Sequence, residues 1–367
     1  MGVNMLKKYA QTLNLGAFSE KRKESLKKDF DYKKEFNRIL KNSRESAKLG
    51  YCYCCEKKVS GFCNSHSLPA FCLRKVSLNG NVCTLNSLVE NPLIEDEKGV
   101  NKSGTFHMLC NTCDGLLFSD YENPSNYANE PTQKMLKQIA LKNSLKLISK
   151  RLMEIQLFSQ PEFQKDPSKK ALCDFKNTIN RLDLKEFTYN FQKAKKCLEK
   201  NSNDYYLCYY RKLNYVVPIA FQSPITIQFD FEGNIINNIY NLSPTYQTKD
   251  INICILPLEN ESVIFMFIEN NDKRYRKFYK QFNKLPKDEQ FKALIFIIFA
   301  YSEEVYFSPT IKEELLKNTD LCEFAKKGSD IISFDPFCNA IDVAKEEFDL
   351  NNRYKVPNLL DEKYKLN

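Results

Sequence analysis

Two Cys-x-x-Cys pairs, Cys52/Cys55 and Cys110/Cys113, constrain this chain more than any other feature. Two residues between cysteines let both sulfurs of a tight turn face one ion. Two such pairs can close a tetrahedron of thiolates around Zn²⁺. The stretch 56–109 between them demands a structured insertion. A redox or incidental pair is the alternative, and Cys54 leaves open which sulfur of the first knuckle binds. Of the 14 Cys, eight are clustered: Cys52, Cys54, Cys55, Cys63, Cys72, Cys83, Cys110 and Cys113. Cys173, Cys197, Cys208, Cys254, Cys322 and Cys338 stand singly among apolar neighbours, as small buried hydrophobes do. No apolar run approaches the ~18 residues of a membrane span, and residues 1–18 lack the apolar stretch of a secretory signal. The chain therefore reads as cytoplasmic, with no membrane partner and with reduced thiols.

At 367 residues the chain exceeds one ordinary core. Net charge alternates along it: +7 over residues 1–50, −3 over 51–130, +10 over 131–214 and −5 over 215–367. Basic segments thus flank the cysteine-rich one, where they would hold a polyanion; solvated lysine-rich helices are the plainer reading. Residues 20–48 read as a basic helix or two, with a thin stripe of Phe30, Phe36, Ile39 and Leu40. Residues 51–110 read as short strands and loops, and 111–121 as a short helix. A long amphipathic helix is expected after Pro131, a second from Asp166-Pro167 to about 183, and a third over 186–200. After Tyr215 the pattern turns to hairpins, around 232–234 and 259–261. Helices are expected at 271–283, 287–303, 310–318, 320–327 and 340–348, with the second central to a core. Residues 349–367 read as loose.

The cysteine pairs bracket Asn64-Ser65-His66-Ser67-Leu68-Pro69, and the second pair runs on into Asp114 at a helix start. This ordered set, C-x-x-C, S-H-x-x-P and C-x-x-C-D, resembles the zinc-stabilised HNH (ββα-metal, treble-clef) endonucleases, in their S-H-x-x-P variant. The resemblance covers about residues 50–125. It implies a structural zinc on Cys52, Cys55, Cys110 and Cys113, and His66 as the general base that activates water. Ser65 stands where the family commonly has an Asp or His ligand of a catalytic metal. Asp114 stands at the second ligand position. The family's final His has no match, because Phe118 falls one turn after Asp114.

The chemistry fits that set. The chain has only two histidines, His66 and His107, so a neutral imidazole base must be one of them. An unperturbed imidazole, with a pKa of about 6.5, accepts a water proton at pH 7. Asp114 is a hard oxygen ligand suited to Mg²⁺ or Mn²⁺. Each residue also has a plainer reading. His66 could ligate zinc or satisfy a core hydrogen bond, His107 could be structural, and Asp114 could cap a helix. Arg74 and Lys75 follow the S-H-x-x-P turn and are candidates to touch a phosphate, while Asp120 and Glu122 read as solvated. With 10 Gly the chain carries no P-loop or Rossmann fingerprint.

The expected fold is α+β. A basic helical arm (1–50) precedes a treble-clef ββα-metal module (51–130). A basic helical segment (131–214) and an α+β C-terminal domain with antiparallel hairpins (215–367) follow. The expected function is metal-dependent DNA cleavage, by resemblance a bacterial anti-phage or mobile-element effector. A sensor or ATPase partner would dock on the C-terminal domain. A catalytically silent zinc fold that binds nucleic acid or a partner is the alternative.

Overall fold

The computed structural model describes residues 19–89, 95, 97–200, 202–241, 243, 245–327 and 340–366. Cys338 lies outside them. The chain opens with helices α1 (Glu20–Lys28) and α2 (Phe30–Ser46). Asp29 separates them by accepting the Tyr32 amide at 2.9 Å. Phe36, Ile39 and Leu40 of the expected stripe are buried against Leu157, whereas Phe30 is exposed. Then come β1 (Ser65–His66), α3 (Ala70–Val76), β2 (Asn81–Thr84), a turn of helix at Asn86–Val89, β3 (Glu97–Gly99), β4 (Thr105–Phe106) and α4 (Asn111–Leu117). Helix α3 was not expected among strands and loops. Its seven residues span too few turns to show a period, yet they bury Cys72, Leu73 and Val76.

Helix α5 (Gln133–Phe158) begins at Thr132, whose hydroxyl accepts the Met135 amide. From Met135 to Lys146 every residue is buried, polar ones included, so the helix is not a surface amphipath there. Helix α6 (Pro167–Leu198) is a single helix where two were expected. No Gly or Pro interrupts it near residue 184, and Asp183 is ion-paired to Arg151 of α5 at 2.8 Å. Strand β5 (Tyr205–Leu213) follows, in a stretch expected to be helical. Its aromatic run YYLCYY suits a pleated surface better than a helix.

The chain ends in β6 (Ile219–Ile225), β7 (Ile251–Pro257), β8 (Ser262–Glu269), α7 (Arg276–Lys284), α8 (Lys287–Tyr301), β9 (Tyr306–Phe307), α9 (Lys312–Lys317), α10 (Thr319–Lys327) and α11 (Ala340–Glu347). The helices after residue 270 and the β7–β8 hairpin lie where the sequence places them. At 232–234 only an isolated bridge, Phe229 to Ile235, closes the turn. Residues 349–366 are not loose: Leu350, Val356, Leu359 and Leu360 are buried, and the Leu366 amide bonds to the Val216 carbonyl at 2.9 Å.

A seven-stranded antiparallel sheet, ordered β3-β2-β9-β6-β7-β8-β5, joins these parts. It takes strands from the cysteine-rich stretch and from beyond residue 205, so it runs across the expected boundaries at 130 and 214. Strands β7 and β8 are buried on both faces, and successive residues go to opposite sides. Ile251, Ile253, Ile255, Ile264, Met266 and Ile268 meet α8. Cys254, Leu256, Val263, Phe265 and Phe267 meet α5 and the cysteine-rich stretch. That stretch is therefore mounted on one face of the sheet, with α5 beneath it.

Candidate metal centre and the histidine beside it

The first cysteine pair sits in a tight turn. Tyr51 bridges Lys58, the Cys52 amide bonds to the Lys57 carbonyl, and Glu56 adopts φ 59° to close the loop. The second pair opens α4. Cys110 is its N-cap, and its sulfur accepts the Cys113 amide at 3.5 Å. The Cys110 amide in turn donates to the Cys52 sulfur at 3.4 Å. The four sulfurs of Cys52, Cys55, Cys110 and Cys113 lie within 4.8 Å of one another. A Zn–S bond of about 2.3 Å gives a tetrahedron with edges of roughly 3.8 Å, so these sulfurs fit a zinc ion. Burial pushes the Cys52 thiol up, but amides of Cys55, Cys110 and Cys54 outweigh it and bring it to about 7. Burial, with hydrogen bonds to its neighbours, raises Cys113. Cys54 is outside the quartet, which settles the first knuckle; its carbonyl accepts Lys195 of α6 at 2.7 Å.

Between the pairs, β1 runs antiparallel to β4, with Ser65 opposite Phe106 and His66 opposite Thr105, and α4 follows. Gly104, at φ +61°, leads into β4, and its carbonyl accepts the Ser67 amide at 2.6 Å. A β-carbon there would sit 2.5 Å from the Tyr306 hydroxyl and 2.7 Å from that of Ser67, so only glycine fits. His66 is partly buried, and its Nε2 lies 3.2 Å from the Val100 carbonyl. That oxygen can only accept. Nε2 therefore carries the proton and Nδ1 is the ring's acceptor. Burial first, then the charges of Lys142 and Arg74, hold the imidazole below its ordinary value, against the Val100 carbonyl and Glu122. The ring is neutral at pH 7.

Asp114 is where the sequence expectation meets a competitor. Ser65 is buried, and its hydroxyl donates to Asp114 Oδ1 at 2.6 Å. Lys142, from α5, places its ammonium 3.0 Å from that same oxygen and 3.0 Å from Glu122 Oε1. Cys63 donates to Asp114 Oδ2 at 3.4 Å. The Lys142 side chain is fully buried, and its Nζ lies 3.9 Å from the centre of the Phe118 ring. Burial pushes Asp114 up, but Lys142 and the Ser65 hydroxyl outweigh it and hold the carboxyl below the usual range. Among the described residues, the four cysteines are the only group of three or more His, Cys, Asp or Glu side chains that converge on one point. The donors around Asp114 therefore do not fit a divalent ion: a lysine already fills the place, and Ser65 is turned toward the carboxylate.

Glu122 and Asp120 are not free solvated acids. Glu122 holds Lys142, and Asp120 pairs with Lys134 at 2.8 Å and accepts Gln138 at 3.0 Å. Sequence reasoning missed Lys142 and Glu122 as members of this site, and no local signal marks them. Arg74 is exposed at the end of α3, while Lys75 lies 3.8 Å from Glu259. His107 is exposed one residue beyond β4; burial, then Lys48, lowers it against Glu45. A groove of about 1830 Å³ runs past the β1–β4 pair, lined by Asn64, Arg74, Lys98, Lys102 and His107 among others.

Much of the basic excess of 131–214 is answered internally. Lys137 pairs with Asp204, Lys146 with Glu304, Lys150 with Glu303 and Arg151 with Asp183. Charge count alone is thus a weak argument for a polyanion there. No helix among the described residues is long and apolar enough to cross a membrane. Comparison of the chain with protein-family models, with curated proteins and with solved structures finds no match.

Proposed function

We propose that the chain is an HNH-type endonuclease that hydrolyses phosphodiester bonds in DNA, with a treble-clef zinc module at residues 51–130. The observation that carries this reading is His66: a neutral imidazole whose Nε2 is tied to the Val100 carbonyl, leaving Nδ1 to take a proton from water. The zinc, held by Cys52, Cys55, Cys110 and Cys113, would brace the knuckle against α4 and keep the β1–β4 pair in place. Arg74, whose charge reaches His66, is placed to meet a phosphate oxygen, whereas Lys75 is partly engaged by Glu259. Catalytic Mg²⁺ or Mn²⁺ on Asp114 and Ser65 is the part of the reading that the donor set does not support. The DNA substrate, the anti-phage or mobile-element setting, and a sensor or ATPase partner on residues 215–367 rest on the resemblance.

The test is nicking of supercoiled plasmid by zinc-loaded protein, with and without added Mg²⁺ or Mn²⁺. His66→Ala should lose about 10²-fold or more of the cleavage rate. Equal cleavage by the variant sinks the assignment. The second reading is a catalytically silent zinc fold that binds nucleic acid or a partner. The Lys142–Asp114 pair favours it, because it takes up the carboxylate that a metal would need. Salt-dependent DNA binding without nicking, under any added metal, would select it.

A further inference from the structure

We propose that the ammonium of Lys142 is the resident cation of the Asp114–Glu122 site and keeps divalent ions out of it. Its Nζ is 3.0 Å from a carboxylate oxygen on each side. The third wall is the Phe118 ring, 3.9 Å away. An aromatic face attracts an ammonium but offers no ligand to Mg²⁺ or Mn²⁺, which need a near-octahedral shell of oxygens. Charge agrees with geometry. Two carboxylates and one ammonium leave a single negative charge; the same carboxylates without the lysine leave two, the charge a divalent ion would neutralise.

The lysine cannot easily step aside. Its neighbours on α5 are pinned: Gln138 accepts the Tyr121 amide at 2.9 Å and donates to Asp120, and Asn143 donates to Asn252 on β7 at 2.9 Å. The backbone that carries Lys142 is thus held both to the loop after α4 and to the sheet. A divalent ion approaching Asp114 Oδ1 meets a buried like charge 3.0 Å from that oxygen, where screening is weak. The proposal concerns the same carboxylate as the endonuclease reading but does not need cleavage to occur.

The experiment is Mn²⁺ titration of the zinc-loaded full chain, read by the loss of the free-ion EPR signal. Wild type, Asp114→Asn, Lys142→Met and the double variant Asp114→Asn/Lys142→Met are compared, with folding checked by circular dichroism. Wild type and Asp114→Asn should bind Mn²⁺ equally weakly. Lys142→Met should gain one site per chain, at least about tenfold tighter, as expected for removal of a like charge in contact. The double variant should lose that site, and added Mn²⁺ should raise the melting temperature of Lys142→Met alone. A folded Lys142→Met without a new site overturns the proposal. So does an Asp114-dependent Mn²⁺ site in the wild type, an arm that decides the matter even if Lys142→Met does not fold. Because the readout is ion binding, a chain that never cuts DNA but gains the site would sink the endonuclease reading and leave this one standing.

Discussion

Helix α4 carries two cation-binding clusters side by side, and they are built in opposite ways. Cys110 and Cys113 sit at its first turn and join Cys52 and Cys55 from the far side of the stretch 56–109. Asp114, the next residue, is completed by Lys142 from the middle of α5 and by Glu122 from the loop between them. Each half of the first cluster is written in the spacing of two cysteines, and its four like ligands suit an external ion. The second is closed by a side chain that arrives with the tertiary fold. The first could hold a zinc ion, and the second is an ion triad whose buried lysine lies over an aromatic ring.

The sharpest way to break the comparison is to remove one member from each side. Cys110→Ser should have the largest effect. Structural zinc contributes apparent free energies of about 10–16 kcal/mol in small zinc folds, so the module should lose its metal and unfold. Elemental analysis and circular dichroism check this. A variant that keeps zinc and its melting temperature would show that the quartet is not the anchor. Cys54→Ser is the matched control and should retain zinc, because Cys54 lies outside the quartet.

Lys142→Ala comes next, at up to about 3 kcal/mol of destabilisation, less than for a fully buried pair because Asp114 keeps Ser65 and Glu122 is partly exposed. Denaturant titration measures it. Replacing the whole triad, as Asp114→Asn/Glu122→Gln/Lys142→Met, should cost clearly less than Lys142→Ala alone. If the triple replacement costs as much as the single one, stranded charge is not what the triad prevents.

What the sequence showed and what it hid follow the same division. The quartet, the β7–β8 hairpin and α8 were legible, because spacing, alternation and a run of apolar residues are all local signals. Lys142 was hidden because a lysine in a polar-looking helix carries no mark of burial; only the sheet above α5 and the module beside it make it a core residue. Residues 186–198 are helical as expected, but the break expected near 184 is absent, because Asp183 looks like a helix end until Arg151 pairs with it. Strand β5 lay in a segment whose net charge drew attention from its aromatic pattern. Residues 349–366 looked loose because their apolar residues are sparse, yet each of Leu350, Val356, Leu359 and Leu360 finds the α8 core. His66 was legible as a candidate by scarcity alone. Its tautomer was not, since Val100 is brought to it only by the fold.

The smallest effect concerns that histidine and sharpens the contrast between a metal-driven and a proton-driven site. Burial holds the folded His66 below its ordinary value, so between the two values the unfolded chain binds more protons than the folded one. The corresponding stability is present above about pH 6.5 and is lost as pH falls toward the folded value. His107 is lowered too, so the chain has two such contributions. His66→Asn should flatten part of the slope of unfolding free energy below about pH 6.5, and His66→Asn/His107→Asn should flatten more. If the protein cuts DNA, the acid limb of its cleavage rate should fall below about pH 6.5, since His66 must be neutral to accept a proton. An acid limb above that point would mean that another group titrates in the rate and that His66 only braces the β1–β4 pair.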